Sequence, residues 1–174
     1  MHYGNIKYTD VANGEGVRTS LFVSGCTHHC KNCFNKEAWD FCYGKEFTKE
    51  VEDEILKSLE PSYIKGITLL GGEPMEKENQ RVLLPFIKRI REKFGTSKTI
   101  WCYTGYIYEK DLIMESRARC EATDEILENI DVLVDGPFIE ALKDISLKFR
   151  GSSNQRIIDV KKTLDNKDVV LYLN

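Results

Sequence analysis

No apolar run in the chain approaches the ~20 residues that cross a bilayer, and Met1-His2-Tyr3-Gly4-Asn5-Ile6-Lys7 has no apolar signal-peptide core. Neither a membrane partner nor export is expected, and the cytosol is the expected compartment. A basic footprint is also missing: Lys and Arg total 25 against 28 Asp and Glu, for a formal charge of −3, and the cations are scattered. Nucleic acid is therefore not an expected partner. Prolines number only four, and no repeat, low-complexity tract or linker interrupts the chain. The 174 residues, 41% hydrophobic and 30% charged, are read as one domain, 1–174, large enough to bury a core.

Cysteine breaks this plain background. Three of the six fall in Cys26-Thr27-His28-His29-Cys30-Lys31-Asn32-Cys33, with no fourth cysteine near enough to complete the set. In a reducing compartment such thiols are more often ligands than disulfides. Three thiolates on one short loop suit a soft metal centre. Two readings follow from the spacing: an iron–sulfur cluster with one open iron, or a zinc site completed by His28 or His29. An open iron can take a chelating substrate, as catalytic zinc keeps an open position while structural zinc is closed.

The remaining chain alternates strand and helix. Thr19–Ser24 reads as a strand feeding the cysteines through Gly25, after the glycine turn Asn13-Gly14-Glu15-Gly16-Val17-Arg18. Residues 34–46 read as irregular. Thr48 caps a predicted helix over Lys49–Leu59, which Pro61 stops. Gly66–Leu70 is a predicted strand ending in Gly71-Gly72-Glu73-Pro74. A helix is predicted over Glu78–Phe94, with a kink or later start at Pro85. Lys98–Tyr103 and Asp131–Asp135 are the next predicted strands, ending at Thr104-Gly105 and Gly136-Pro137, with a helix around Thr123–Asn129 between them. Arg156–Leu164 and Asp168–Leu173 bracket Asp165-Asn166-Lys167 as a closing hairpin.

This rhythm predicts an α/β fold with a mostly parallel sheet. At roughly 30 residues per βαβ unit the chain has room for about five. A complete eight-stranded barrel takes about 250 residues, so a barrel here is an incomplete, partial one. Chemistry collects at the carboxyl ends of parallel strands, which is where the cysteine loop and the three glycine-bearing turns fall. At Gly71 and Gly72 a ligand could approach the backbone closely and find unpaired backbone groups. Glu73 offers a carboxylate to a cation such as an ammonium group. The plainer view of the same residues is a strand-to-helix turn with a proline near the helix start.

Cys26-x3-Cys30-x2-Cys33 followed by Gly-Gly-Glu-Pro resembles the radical S-adenosylmethionine (SAM) superfamily. Gly14-x-Gly16-x-Arg18, Cys33-Phe34-Asn35 and Val134–Phe138 look like its glycyl-radical-enzyme activases. Leu147–Asp159 narrows the resemblance to the activating proteins of anaerobic ribonucleoside-triphosphate reductases; it runs from Asn13 to Asp159. The resemblance implies a partial parallel βα barrel of the radical SAM type. It also implies a [4Fe–4S] cluster on Cys26, Cys30 and Cys33, with SAM chelating the fourth iron. Gly71, Gly72 and Glu73 would contact the methionine amino group, and Thr104 and Gly105 the carboxylate or ribose. Asp135 matches an acidic residue beside SAM that in some activases helps hold a monovalent cation. Many superfamily members carry an aromatic residue just before the third cysteine, where this chain has Asn32. The adenine contact would then fall to Phe34, to His28 or to backbone groups, and the ordinary view of Phe34 is that it packs under the loop. The implied reaction is reductive cleavage of SAM to a 5′-deoxyadenosyl radical that makes a glycyl radical on the reductase, with a flavodoxin-type electron donor. A different glycyl-radical target, or a non-catalytic zinc or electron-carrier module, is the competing reading. Cys42, Cys102 and Cys120 fall outside the motif, and Cys102 is expected to be a small core residue.

Overall fold

A computed structural model describes residues 1–173. The elements, in chain order, are β1 (His2–Asp10), β2 (Val17–Val23), β3 (Lys45–Glu46), α1 (Lys49–Ser58), β4 (Ile64–Gly71), α2 (Lys77–Phe94), β5 (Thr99–Tyr103), α3 (Thr123–Asn129), β6 (Val132–Asp135), β7 (Arg156–Asp159), α4 (Val160–Asn166) and β8 (Leu171–Leu173). All eight strands form one mixed sheet in the order β3-β1-β2-β4-β5-β6-β7-β8. The four central strands β2, β4, β5 and β6 run parallel. The flanking pairs are antiparallel. Three helical crossovers connect the parallel strands, fewer than chain length suggested, because antiparallel strands and long loops take the remainder.

Period-two alternation gives the sheet two different faces. Leu21, Val23, Ile67, Leu69, Ile100, Cys102, Leu133 and Ile158 point to one side. There they meet Ile55 and Leu59 of the α1 segment, Phe86 and Ile90 of α2, and Ile126 and Leu127 of α3. Every helix lies on that side. The opposite face carries a smaller cluster of Trp101, Val132, Val134 and Ile157, with Tyr103, Phe149 and Leu173 against it.

Arg18 lies on this helix-free side, 1% exposed and with neutral acceptors only. Its guanidinium donates to Thr68 Oγ1, Thr99 Oγ1 and the carbonyls of Glu15, Ile67 and Thr99 at 2.7–3.2 Å. It also stacks 5.4 Å from the Trp101 ring centroid. Burial pulls its pKa down to about 10. Gly14, at φ +125°, leaves room for this stack: a Cβ there would stand 2.9 Å from Arg18 Cδ and 3.0 Å from the Trp101 ring. The Gly14-x-Gly16-x-Arg18 pattern is thus a packing motif as well as a turn.

Two expectations change, and one strand lies outside them all: β1 carries no apolar alternation and is mostly exposed, so nothing in its sequence marks it as a strand. The helix α2 starts at Lys77 and runs unbroken through Pro85, held by the buried Leu83, Phe86 and Ile87 on either side of the missing hydrogen bond. The closing hairpin is a strand–helix–strand. Asp159 caps α4 by accepting the Lys162 N–H, and Lys167 ends it in a left-handed conformation at φ +62°. β7 and β8 still pair antiparallel, Ile157 opposite Leu173. Among the described residues no helix is long and apolar enough to cross a membrane.

Candidate metal and cofactor site

Adjacent parallel strands bring their carboxyl ends to one rim. β2 runs out through Gly25 into the cysteine loop, and β4 ends beside it at Gly71. The junction is made backbone to backbone. Gly72 N–H donates to Val23 C=O at 2.7 Å, Glu73 N–H to Gly25 C=O at 2.8 Å, and Gly25 N–H to Ala38 C=O at 2.8 Å. Gly71 sits at φ +111°, where a Cβ would lie 2.7 Å from the Val23 backbone, and a Cβ on Gly72 would lie 2.6 Å from Gly25 O. The close approach that these glycines allow here is to the backbone of β2 and of the loop it feeds, and of the backbone groups a ligand could meet, the N–H groups of Gly72 and Glu73 are paired.

Glu73 is the centre of the rim. Its carboxylate is 1% exposed. One oxygen accepts from Met75 N–H at 2.8 Å. The other accepts from Gly105 N–H at 2.7 Å and lies 2.7 Å from His28 Nε2. The His28 ring leans on Tyr106, with centroids 4.4 Å apart. A Cβ on Gly105 would fall 2.8 Å from His28 Nε2. One buried carboxylate therefore ties together the cysteine loop, the Gly-Gly-Glu-Pro turn and the end of β5. Thr104 is buried there, donating its N–H to Val134 C=O at 2.9 Å and accepting from Tyr106 N–H at 3.1 Å.

Polar groups around α2 reinforce the same junction. Glu76 Oε1 accepts from Thr27 N–H at 2.8 Å and Thr27 Oγ1 at 2.6 Å, and Asn79 donates to the carbonyls of Ser24 and Glu73. Sequence reasoning passed over Glu76, Asn79, Tyr106 and the role of His28. The available signal was polar residues at a helix start, directly after a motif turn.

Asp135, 1% exposed at the end of β6, is bound by Arg156 and accepts from Tyr108 N–H at 2.9 Å. Arg156 also forks onto Glu109 at 2.8 and 2.6 Å. These two carboxylates push its pKa far above the ordinary arginine value. The guanidinium thus already supplies positive charge at Asp135. A cavity of about 500 Å³ opens beside it, lined by Ile107, Gly136, Pro137, Asn154 and Arg156 among others.

Cys26, Cys30 and Cys33 are free thiols on the one loop. Cys33 N–H donates to Cys30 C=O at 3.1 Å, and Cys26 N–H to Trp39 C=O at 3.3 Å. His29 and Asn32 adopt left-handed backbone, at φ +49° and +57°. Burial pushes the Cys26 thiol up to about 12 and raises Cys30 as well. Among the described residues no three His, Cys, Asp or Glu side chains stand close enough together to hold a metal ion. Cys26, Cys30 and Cys33 thus share one loop, but their side chains are not gathered into a ligand set in this structure. Among the described residues neither His28, which contacts Glu73 through Nε2, nor His29, which stacks on Trp39 at 4.5 Å, joins the cysteines in a metal-binding group. Phe34 is 95% exposed, so it does not pack under the loop and stands apart from the other rim residues. Cys102 is a buried core residue as expected, and Cys120 contacts Gln80.

A family model described as a 4Fe-4S single cluster domain matches residues 12–158. The anaerobic ribonucleoside-triphosphate reductase-activating protein of Pasteurella multocida (strain Pm70) is 45% identical over 159 residues, covering 90% of this chain and 96% of the relative. The protein of that description from Escherichia coli (strain K12) is 43% identical over 157 residues, covering 89% and 96%. The one from Enterobacteria phage T4 is 36% identical over 159 residues, covering 90% and 93%. At this identity along nine-tenths of its length, the chain belongs to the 4Fe-4S single cluster domain family and, within it, to the anaerobic ribonucleoside-triphosphate reductase-activating proteins.

Proposed function

We propose that this chain is a radical SAM activase that generates a glycyl radical on an anaerobic ribonucleoside-triphosphate reductase. Four parallel strands with helices on one side support reading the fold as a partial βα barrel of the radical SAM type, working as the single domain 1–174. Cys26, Cys30 and Cys33 would hold a [4Fe–4S] cluster, their three soft donors leaving one iron for SAM. When bound, the cluster and SAM would supply one-electron reductive cleavage chemistry, with the electron coming from an external donor, methionine leaving, and the partner's glycine Cα hydrogen ending in 5′-deoxyadenosine.

The chain's own residues orient and enclose. Glu73, fixed by three contacts, holds the cysteine loop against the ends of β4 and β5, so cluster and substrate positions share one frame. Gly71, Gly72 and Glu73 form the wall beside the SAM amino end. Thr104 and Gly105 line the next strand end, and Asp135 the one after. Arg156 at Asp135 does the charge-balancing that a monovalent cation does in some relatives of the superfamily. Phe34, free at the loop tip, is the aromatic residue available to a bound adenine. A flavodoxin-type donor and a cytoplasmic setting complete the reading.

The observation that carries the proposal is the Glu73 junction, which locks a three-cysteine loop to a Gly-Gly-Glu turn at the rim of a parallel sheet. The test is anaerobic incubation of the iron- and sulfide-reconstituted protein with SAM, a reductant and the reductase. Electron paramagnetic resonance should then show a glycyl radical whose splitting changes when the reductase carries deuterated glycine. SAM turnover with no radical on the reductase would refute the assigned target.

A further inference from the structure

Between β6 and β7 the chain leaves the sheet for residues 136–155. Connections longer than about 12–15 residues with little structure of their own are uncommon and usually functional. This one is a small body tied to itself. Lys143 bridges Ser152, and Ser153 N–H donates to Leu142 C=O at 2.9 Å. The Gln155 side chain accepts from Gly151 and Ser152 N–H and donates to Gly136 C=O at 3.1 Å. It reaches two other parts of the molecule. On one side Asn32 Nδ2 donates to Glu140 Oε2 at 2.6 Å. On the other, Tyr103 O–H donates to Phe149 C=O at 2.8 Å, and the Phe149 ring meets Trp101 edge-to-face at 5.5 Å. The segment thus lies across both the cysteine loop and the helix-free face.

Its packing there is incomplete. Phe149 is held at φ +57°, a left-handed backbone that bulky side chains rarely adopt. Among the described residues three buried side-chain polar atoms lack a partner, and two of them, Arg150 Nε and Asn154 Oδ1, belong to this segment. Its outer edge exposes apolar side chains: Ile145 is 93% exposed, and Ile139 and Leu142 are exposed beside it in sequence.

We propose that residues 136–155 form a docking flap for the protein substrate, which grips Ile139, Leu142 and Ile145 and lifts Phe149 off Trp101 to open the face beside the cysteine loop. The proposal rests on the activase reading, under which a glycine of another protein must reach the cysteine loop past this segment. Outward apolar side chains suit a water-excluding contact with a protein surface. The strained Phe149 and the two orphaned polar atoms weaken the closed state, so that a partner can displace it.

The test compares wild-type holoprotein with Ile145→Asp, a change at a side chain that has no interior packing to lose. The dissociation constant for the reductase should rise about tenfold or more, with a matching loss of glycyl-radical yield at subsaturating reductase. Dithionite-driven 5′-deoxyadenosine formation without reductase should stay at the wild-type rate. In wild type, hydrogen exchange at residues 139–146 should slow when reductase is added. Wild-type affinity in Ile145→Asp together with unchanged exchange overturns the flap. A wild-type protein that cleaves no SAM, or leaves the reductase without a radical, overturns the activase reading and the flap's substrate with it.

Discussion

Glu73→Gln is the most informative single change at the rim. The carboxylate is 1% exposed, with Met75 N–H on one oxygen and Gly105 N–H and His28 on the other. Glutamine has one acceptor oxygen, so in either orientation its NH2 group faces a backbone N–H. One buried N–H then lacks an acceptor, at about 1–3 kcal/mol, and the remaining bonds lose their charge assistance. The expected destabilisation is about 2–4 kcal/mol. For a chain of this size that lowers Tm by roughly 5–15 °C. Far-UV circular dichroism on the metal-free protein reads this directly, without any contribution from a bound cluster. His28→Ala combined with Glu73→Gln should be non-additive by about 1 kcal/mol, because both act on one contact. If Glu73→Gln lies within about 0.5 kcal/mol of wild type, the carboxylate is not what holds the rim together.

Two further substitutions probe neighbouring parts. Gly71→Ala places a Cβ 2.7 Å from the Val23 backbone at a left-handed position, and should destabilise by about 3 kcal/mol in urea unfolding; a neutral result would mean that β2 and β4 can separate freely there. Arg156→Gln strands the buried Asp135 with only the Tyr108 N–H, and should cost about 3 kcal/mol, with Arg156→Lys intermediate; equal losses in both variants would deny the forked pairing.

The central strands were legible because each is a short apolar run ended by glycine, as at Leu69-Leu70-Gly71 and Val134-Asp135-Gly136. β1 was not, since a largely exposed strand carries no buried stripe to betray it. The tail misled because Asp165-Asn166-Lys167 has turn composition, whereas the Asp159 cap upstream decides for a helix. At the site, the cysteines and Gly71-Gly72-Glu73 declared themselves through spacing. Their physical roles did not. The glycines turned out to serve close packing between two backbones, and Glu73 turned out to hold His28 and Gly105, partners 45 and 32 residues away that no local pattern could supply. The same holds for Arg156 on Asp135, read from sequence as the start of the closing hairpin and found to be the counter-charge of a buried carboxylate.

The proposed radical chemistry requires three thiols to hold a cluster with one iron left for SAM. The most direct measurement is electron paramagnetic resonance of the anaerobically reconstituted, dithionite-reduced protein, recorded with and without SAM. A [4Fe–4S] signal whose g-values shift on adding SAM, and which is lost in Cys26→Ala, Cys30→Ala and Cys33→Ala alike, is the predicted result. A cluster signal indifferent to SAM, or one that survives loss of any of the three cysteines, would contradict it.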